Sequence, residues 1–272
     1  KEGPSLKPYR THRPTARVLD ILQLLATAKD GFTLTEIATA ISVPKSAIVP
    51  ISRTLCERRF IAHHGTNKYI IGINSLIVGS ACLQDMDVLE LFKTQMKRIV
   101  AATSEASQLG VLINGYVLYL AKEESQEPIR LISFVGKRLP AYSTAIGKAL
   151  LREYPLESIK KLYPQGLQPV TERTCTDFDA LYAQCQAGRE RGYFMDQEEI
   201  SPGINCFSVP LQYNGHYIAA MSVSIPSFRL DDAKKERCIA ALKDAKEKVE
   251  QAFTEINVSD IDFFATSFQA KP

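Results

Sequence analysis

The stretch TLTEIATAISVPKSAIVPISRTLCERRFI, residues 33–61, constrains the fold of this chain more than any other. Leu34, Ile37, Ala38 and Ile41 recur at the spacing of one helix face. Thr33 followed by Glu36 is a capping-box pair, whose hydroxyl and carboxylate satisfy the first free N–H groups of that helix. Ser42-Val43-Pro44 then turns the chain, and Ile48, Ile51, Leu55 and Ile61 continue an apolar stripe. Upstream, Val18, Ile21, Leu22 and Leu25 make residues 15–27 an amphipathic helix; downstream, FIAHHGTNKYIIG reads as two short strands around Gly65-Thr66-Asn67. Three helices followed by a hairpin describe a winged helix-turn-helix, in which the second helix of the pair enters the DNA major groove and the hairpin meets the backbone or minor groove.

The outward side chains expected to meet DNA are Lys45, Ser46, Ser52, Arg53 and Arg58 on that second helix, with Glu57 beside them, and Lys68 on the wing. Lys and Arg neutralise phosphates, and Ser and Arg also reach base edges. The charge distribution agrees. Residues 1–72 hold 11 Lys+Arg and 5 Asp+Glu, a net of +6, and the remaining 200 residues hold 22 and 25, a net of −3. A basic unit on a mildly acidic body points to a polyanion partner for the former. Pro50 leaves one question open. If Ser46 caps the helix, Pro50 falls at the edge of the first turn; if the helix starts at Pro44, Pro50 is interior and costs ~3 kcal/mol before compensation.

Beyond residue 72 the pattern changes. INSLIVGSACLQ (73–84) and DVLELFKTQMKRIVAAT (87–103) read as helices joined by DMD, the first apolar nearly all round and suited to packing between domains or against a second subunit. SQLGVLI and YVLYLAKE flank Asn114-Gly115, a hairpin turn in which both residues take positive φ, and a second such turn stands at Asn214-Gly215. IRLISFVG (129–136) reads as a further strand; STAIGKALL, PLESIKKLYP, TDFDALYAQCQAGRERG and residues 231–255 read as helices. The expected organisation is a basic tail (1–13), a winged unit (14–72), a linker helix (73–85), an α+β sensor-like domain (86–256) and a C-terminal tail (257–272).

Six cysteines lie scattered with no C-x-x-C pair, and four histidines offer no workable set of ligands, so neither a metal nor another cofactor is expected. With no apolar run near 18 residues and no leader pattern at the start, the expected location is the cytoplasm.

Three stretches of the larger domain carry possible chemistry. RLPAYSTAIGKALL is a strand-to-helix loop whose helix start, near Ser143 or Thr144, offers free N–H groups. FMDQEEISPGINC is an acidic loop leading to Cys206, and AAMSVS places Ser222 and Ser224 on one strand face. Together these suit a small polar ligand. Taken singly each has a plainer reading: Ser222 and Ser224 as backbone-bonded hydroxyls, Cys206 as a core thiol, Asp196 as a solvated loop charge.

The segments ARVLDILQLLATAKDGFTLTEIATAISVPKSAIVPISRTLCERRFI, RLPAYSTAIGKALL, ERGYFMDQEEISPGINCFSVPL and AAMSVSIPSFRL together resemble the IclR (isocitrate lyase regulator) family of bacterial transcription regulators, over about residues 14–253. The resemblance implies a winged helix-turn-helix joined by a helix to a GAF-like effector domain, working as a dimer or dimer of dimers on operator DNA. It implies an effector pocket at Ala145 and Ile146, Asp196 and Cys206, and Ser222 and Ser224. Ile146 is bulkier than its counterpart in members known for very small ligands, and Tyr142 stands where a His is common. The expected function is a regulator that senses a small carboxylate metabolite and is not an enzyme. The competing expectation is a cysteine hydrolase or acyl transferase using Cys206, with an appended nucleic-acid-binding domain.

Overall fold

The computed structural model describes residues 12–28, 30–81, 87–125 and 133–254, and the chain divides into two units, Lys1–Asp85 and Met86–Pro272. In the first unit, α1 (Arg13–Leu25) has a proline in its opening turn, where a missing N–H costs nothing. After β1 (Phe32–Thr33), α2 (Leu34–Ala40) begins with the capping box complete: Glu36 N donates to Thr33 Oγ1 at 3.2 Å, and Thr33 N donates to Glu36 Oε2 at 2.7 Å. The axes of α2 and α3 (Lys45–Glu57) turn by 117°, within the range of helix-turn-helix pairs. Ile21, Leu25, Ile37, Ile48, Leu55 and Ile61 make the core.

Pro44 is the N-cap of α3, so Ser46 lies inside the first turn and Pro50 is interior. The carbonyl of Ser46 therefore finds no N–H one turn on. The wing is β2 (Ile61–His64) and β3 (Lys68–Ile71), paired from Ile61↔Ile71 to His64↔Lys68. Strand β1 adds a third member beside β3, which the sequence reading did not anticipate because two residues carry no periodicity. Helix α4 (Ile73–Ala81) then leaves Ile73, Leu76, Ile77 and Val78 exposed. The expected continuation of this helix to 84, most of the 85–87 joint and both expected tails (apart from residues 12 and 13) lie outside the described residues.

The second unit runs α5 (Asp87–Thr103), β4 (Ala106–Ile113), β5 (Tyr116–Glu123), β6 (Arg138–Pro140), α6 (Ala145–Leu151), α7 (Leu156–Leu162), α8 (Phe178–Arg191), β7 (Phe194–Gln197), β8 (Ile204–Tyr213), β9 (His216–Pro226) and α9 (Asp232–Ala252). The strands form one antiparallel sheet in the order β6-β5-β4-β9-β8-β7. Period-2 alternation sends Leu109, Val111, Met221 and Val223 to one face, against Phe92, Met96, Leu242 and Val249 of α5 and α9. The other face receives Ile146 and Leu150 of α6 and Leu181 of α8. Both Asn-Gly turns adopt the positive φ their residues foretell, 49° and 79° at Asn114-Gly115 and 49° and 80° at Asn214-Gly215.

The strand expected at 129–136 is corrected. Its described part, 133–136, is irregular, with Phe134 and Val135 exposed, and the strand forms instead at Arg138–Pro140. Local bonds explain the shift: Lys122 Nζ donates to Ser133 O at 2.9 Å, and Gly136, at φ 87°, donates its N–H to Tyr119 O at 2.8 Å. Residues 129–132 lie outside the described residues. One glycine sets how closely α6 can lie against the turn before it. A Cβ on Gly147 would stand 2.0 Å from the carbonyl oxygen of Ala141.

Candidate functional site

On α3 the outward positions follow one another at helical spacing. Ser46, Val49, Pro50, Arg53 and Glu57 are exposed, while Ile48, Ser52 and Leu55 face inward. Ser52 is thus a correction: it lies one turn beyond Ile48 on the core stripe and is 2% exposed, with no hydrogen-bond partner for its hydroxyl, so it cannot touch DNA from this helix. Lys45 is exposed and donates to Thr35 Oγ1 on α2 at 3.2 Å; Arg53 pairs with Glu57 at 3.1 Å. Arg58 is exposed at the C-cap of the helix, and Lys68 is half-buried at the start of β3.

In the second unit all the expected ligand-side residues line one cavity of about 40 Å³, enclosed between α6, the sheet and the loop after β7. Thr144 caps α6, accepting from Gly147 N at 3.0 Å, and the Lys148 N–H reaches Thr144 O. This leaves the N–H groups of Ala145 and Ile146 as the first-turn donors with no partner inside the helix. Asp196 and Cys206 sit opposite each other in the β7–β8 register, and Cys206 stands opposite Ser224 in the β8–β9 register. Cys206 Sγ and Ser224 Oγ are 3.1 Å apart.

The sequence reading missed the residue that joins these walls. Gln108 on β4 faces Ser222 across the β4–β9 pair and accepts from Ser222 Oγ at 2.7 Å and Ser224 Oγ at 3.1 Å, both at Oε1. Two donors on the oxygen fix the amide orientation and leave Nε2 without a partner. Its only sequence signal is the polar pair Ser107-Gln108 at the head of an apolar strand. Tyr119 of β5 also lines the cavity and was missed; burial raises its phenol far above the ordinary range.

Asp196 is fully buried. Oδ1 accepts from Glu199 N at 2.7 Å, and Oδ2 makes no hydrogen bond of normal geometry, the Cys206 thiol interacting only weakly with the carboxyl. Desolvation raises its carboxyl from 3.8 to about 7, against the Glu199 N–H and the Lys148 charge, which both lower it. Lys148 itself is buried inside α6 and forms an ion pair with Glu199, whose other oxygen accepts from Cys175 N at 3.4 Å. That pair fixes the loop carrying Asp196's backbone donor. Cys206 is held well above the ordinary thiol range, by burial first and then by the Asp196 charge. A thiol kept protonated is a poor nucleophile, and no histidine hydrogen-bonds to it among the described residues.

Comparison with known proteins identifies both domains. Residues 14–65 match the IclR helix-turn-helix domain, and residues 80–251 match the bacterial transcriptional regulator IclR C-terminal domain. The chain is 31% identical over 237 residues to the HTH-type transcriptional regulator KdgR of Escherichia coli K12, covering 86% of this chain and 89% of that protein. It is 34% identical over 236 residues to the HTH-type transcriptional regulator BhcR of Paracoccus denitrificans, covering 86% and 83%. Among solved structures, an IclR transcriptional regulator from Alicyclobacillus acidocaldarius shares the fold with a TM-score of 0.78 at 24% identity, over 89% of this chain and 99% of that one. An IclR homologue from Microbacterium hydrocarbonoxydans, solved with 4-hydroxybenzoate, does so with a TM-score of 0.74 at 22% identity, over 89% and 100%. The chain therefore belongs to the IclR family of transcriptional regulators, which join a helix-turn-helix DNA-binding domain to a C-terminal effector domain.

Proposed function

We propose that the second unit takes up a compact hydroxy acid and that its occupancy sets the grip of the first unit on operator DNA. The observation that carries this reading is a pair of orphaned polar atoms lining one cavity. Gln108 Nε2 has a proton to give and Asp196 Oδ2 a lone pair to offer, and neither makes a hydrogen bond of normal geometry. Leaving such a group unpaired costs about 1–3 kcal/mol, so an occupant that meets both is favoured. A carboxylate suits the donor side, formed by Gln108 Nε2 and the N–H groups of Ala145 and Ile146. A ligand hydroxyl suits Asp196. Ser222 and Ser224, whose protons go to Gln108, keep lone pairs for a ligand hydroxyl, and Cys206 shapes the wall. The cavity is smaller than the ~150 Å³ void that admits benzene. This favours a short chain with the same acid-plus-hydroxyl chemistry as the 4-hydroxybenzoate held by the Microbacterium relative.

On the DNA side, Lys45, Ser46, Arg53 and Arg58 of the α3 segment would meet the major groove and its phosphates, and Lys68 the backbone beside the wing. A second copy covering the exposed row Ile73, Leu76 and Ile77 of α4 would pair two such units on two half-sites. The test is a thermal-shift screen of the full chain with aliphatic hydroxy acids, aromatic acids and sugar acids, each hit then added to a duplex-binding titration. A hydroxy acid should raise the melting temperature and change duplex affinity. Ser222→Ala and Asp196→Ala should abolish that shift while keeping duplex binding. A shift that survives both substitutions overturns the placement.

A further inference from the structure

We propose that Val49 and Pro50 form an apolar reading patch on α3 that recognises thymine C5-methyl groups in the major groove. Val49 is 44% exposed, and Pro50 is exposed beside it on the outward face between Ser46 and Arg53. Neither belongs to the core of the first unit or packs against it. The outward face of a solvated helix is ordinarily polar, and valine and proline are both poor choices for an exposed helix interior. Here they stand mid-helix on the very surface that a helix-turn-helix presents to base edges.

The neighbouring polar groups are partly engaged already. Arg53 is tied to Glu57 at 3.1 Å and Lys45 to Thr35 at 3.2 Å, and Ser52 is turned into the core. The middle of the face therefore offers carbon and hydrogen rather than hydrogen-bonding groups. In the major groove the one apolar feature among the four bases is the thymine methyl, whose position also tells T·A from A·T. The cations that flank the patch suit a polyanion and disfavour a second copy of the same face. The inference goes beyond DNA binding itself: it assigns a base preference to two residues with no polar side-chain atom.

The experiment selects duplexes from a random pool with the full-length protein, then replaces each thymidine of the selected duplex by deoxyuridine, which removes only the methyl group. At one or more positions the replacement should weaken wild-type binding about fourfold, the worth of one buried methyl-sized group. Val49→Ser should bind the thymidine and deoxyuridine duplexes at that position equally. A selected site with no preferred thymine, wild-type affinity within about twofold after every replacement, or a Val49→Ser protein as sensitive as the wild type would each overturn the proposal. The deoxyuridine series uses the wild-type chain, so it can overturn the proposal even if the variant folds poorly.

Discussion

Asp196 is a carboxyl kept in a place that disfavours its charge. Its folded-state value is raised to about 7, so between roughly pH 4 and pH 7 the folded chain holds a proton that the unfolded chain has lost. Stability from this group is fully present below pH 3.8 and is lost as pH rises toward 7. Asp196→Asn keeps an oxygen for the Glu199 N–H and cannot ionise. Its melting temperature relative to wild type should therefore climb from pH 5 to pH 8, by a stability difference of at most about 3 kcal/mol. Equal differences at both pH values, read by thermal denaturation, would contradict the burial argument. At this scale legibility was uneven. Ser222 and Ser224 were readable because a period of two fixes a shared face, and the resemblance supplied Asp196 and Cys206 as their companions. Gln108 was not readable, since its role arises from a strand pairing more than a hundred residues away. Ser52 was misassigned by its polarity, although its spacing from Ile48 and Leu55 already placed it on the buried stripe.

Elements with strong local signals formed where their residues said they would: the Thr33–Glu36 box opens α2, and both Asn-Gly pairs turn their hairpins. Helix α3 was ambiguous because Ser46 looks like a cap while Pro44 supplies only a fixed φ, and the structure uses Pro44. The interior Pro50 then leaves the Ser46 carbonyl without a helical donor. Pro50→Ala should add that bond and stabilise the first unit by about 1–3 kcal/mol, seen as a higher denaturation midpoint and a newly protected amide at position 50 in hydrogen exchange. No protection there would mean that α3 is already broken at this point. The misplaced strand at 129–136 shows the opposite failure. Apolar residues in series suggested burial, but the bonds from Lys122 and to Tyr119 hold 133–136 as a turn.

Over the whole molecule the two units differ in charge, +5 for residues 1–85 against −2 for residues 86–272. Duplex binding by the first should therefore release counterions, losing about a hundredfold in affinity between 50 and 200 mM salt if four phosphates are neutralised. Uptake of a small acid by the second should change far less over the same range. A salt-insensitive duplex affinity in a filter-binding or anisotropy titration would refute the assignment of Lys45, Arg53, Arg58 and Lys68 to the backbone. The seam between β4 and β9 has a consequence of its own. Every other strand pair in that sheet joins near neighbours in sequence, but Gln108 meets Ser222 and Ser224 across 114 and 116 positions. Such a joint bears the largest loop-closure entropy and is among the last to zip. A guest molecule held there, as proposed, would act as a rivet through that joint, so its departure and the fraying of the sheet's middle would draw on the same few bonds.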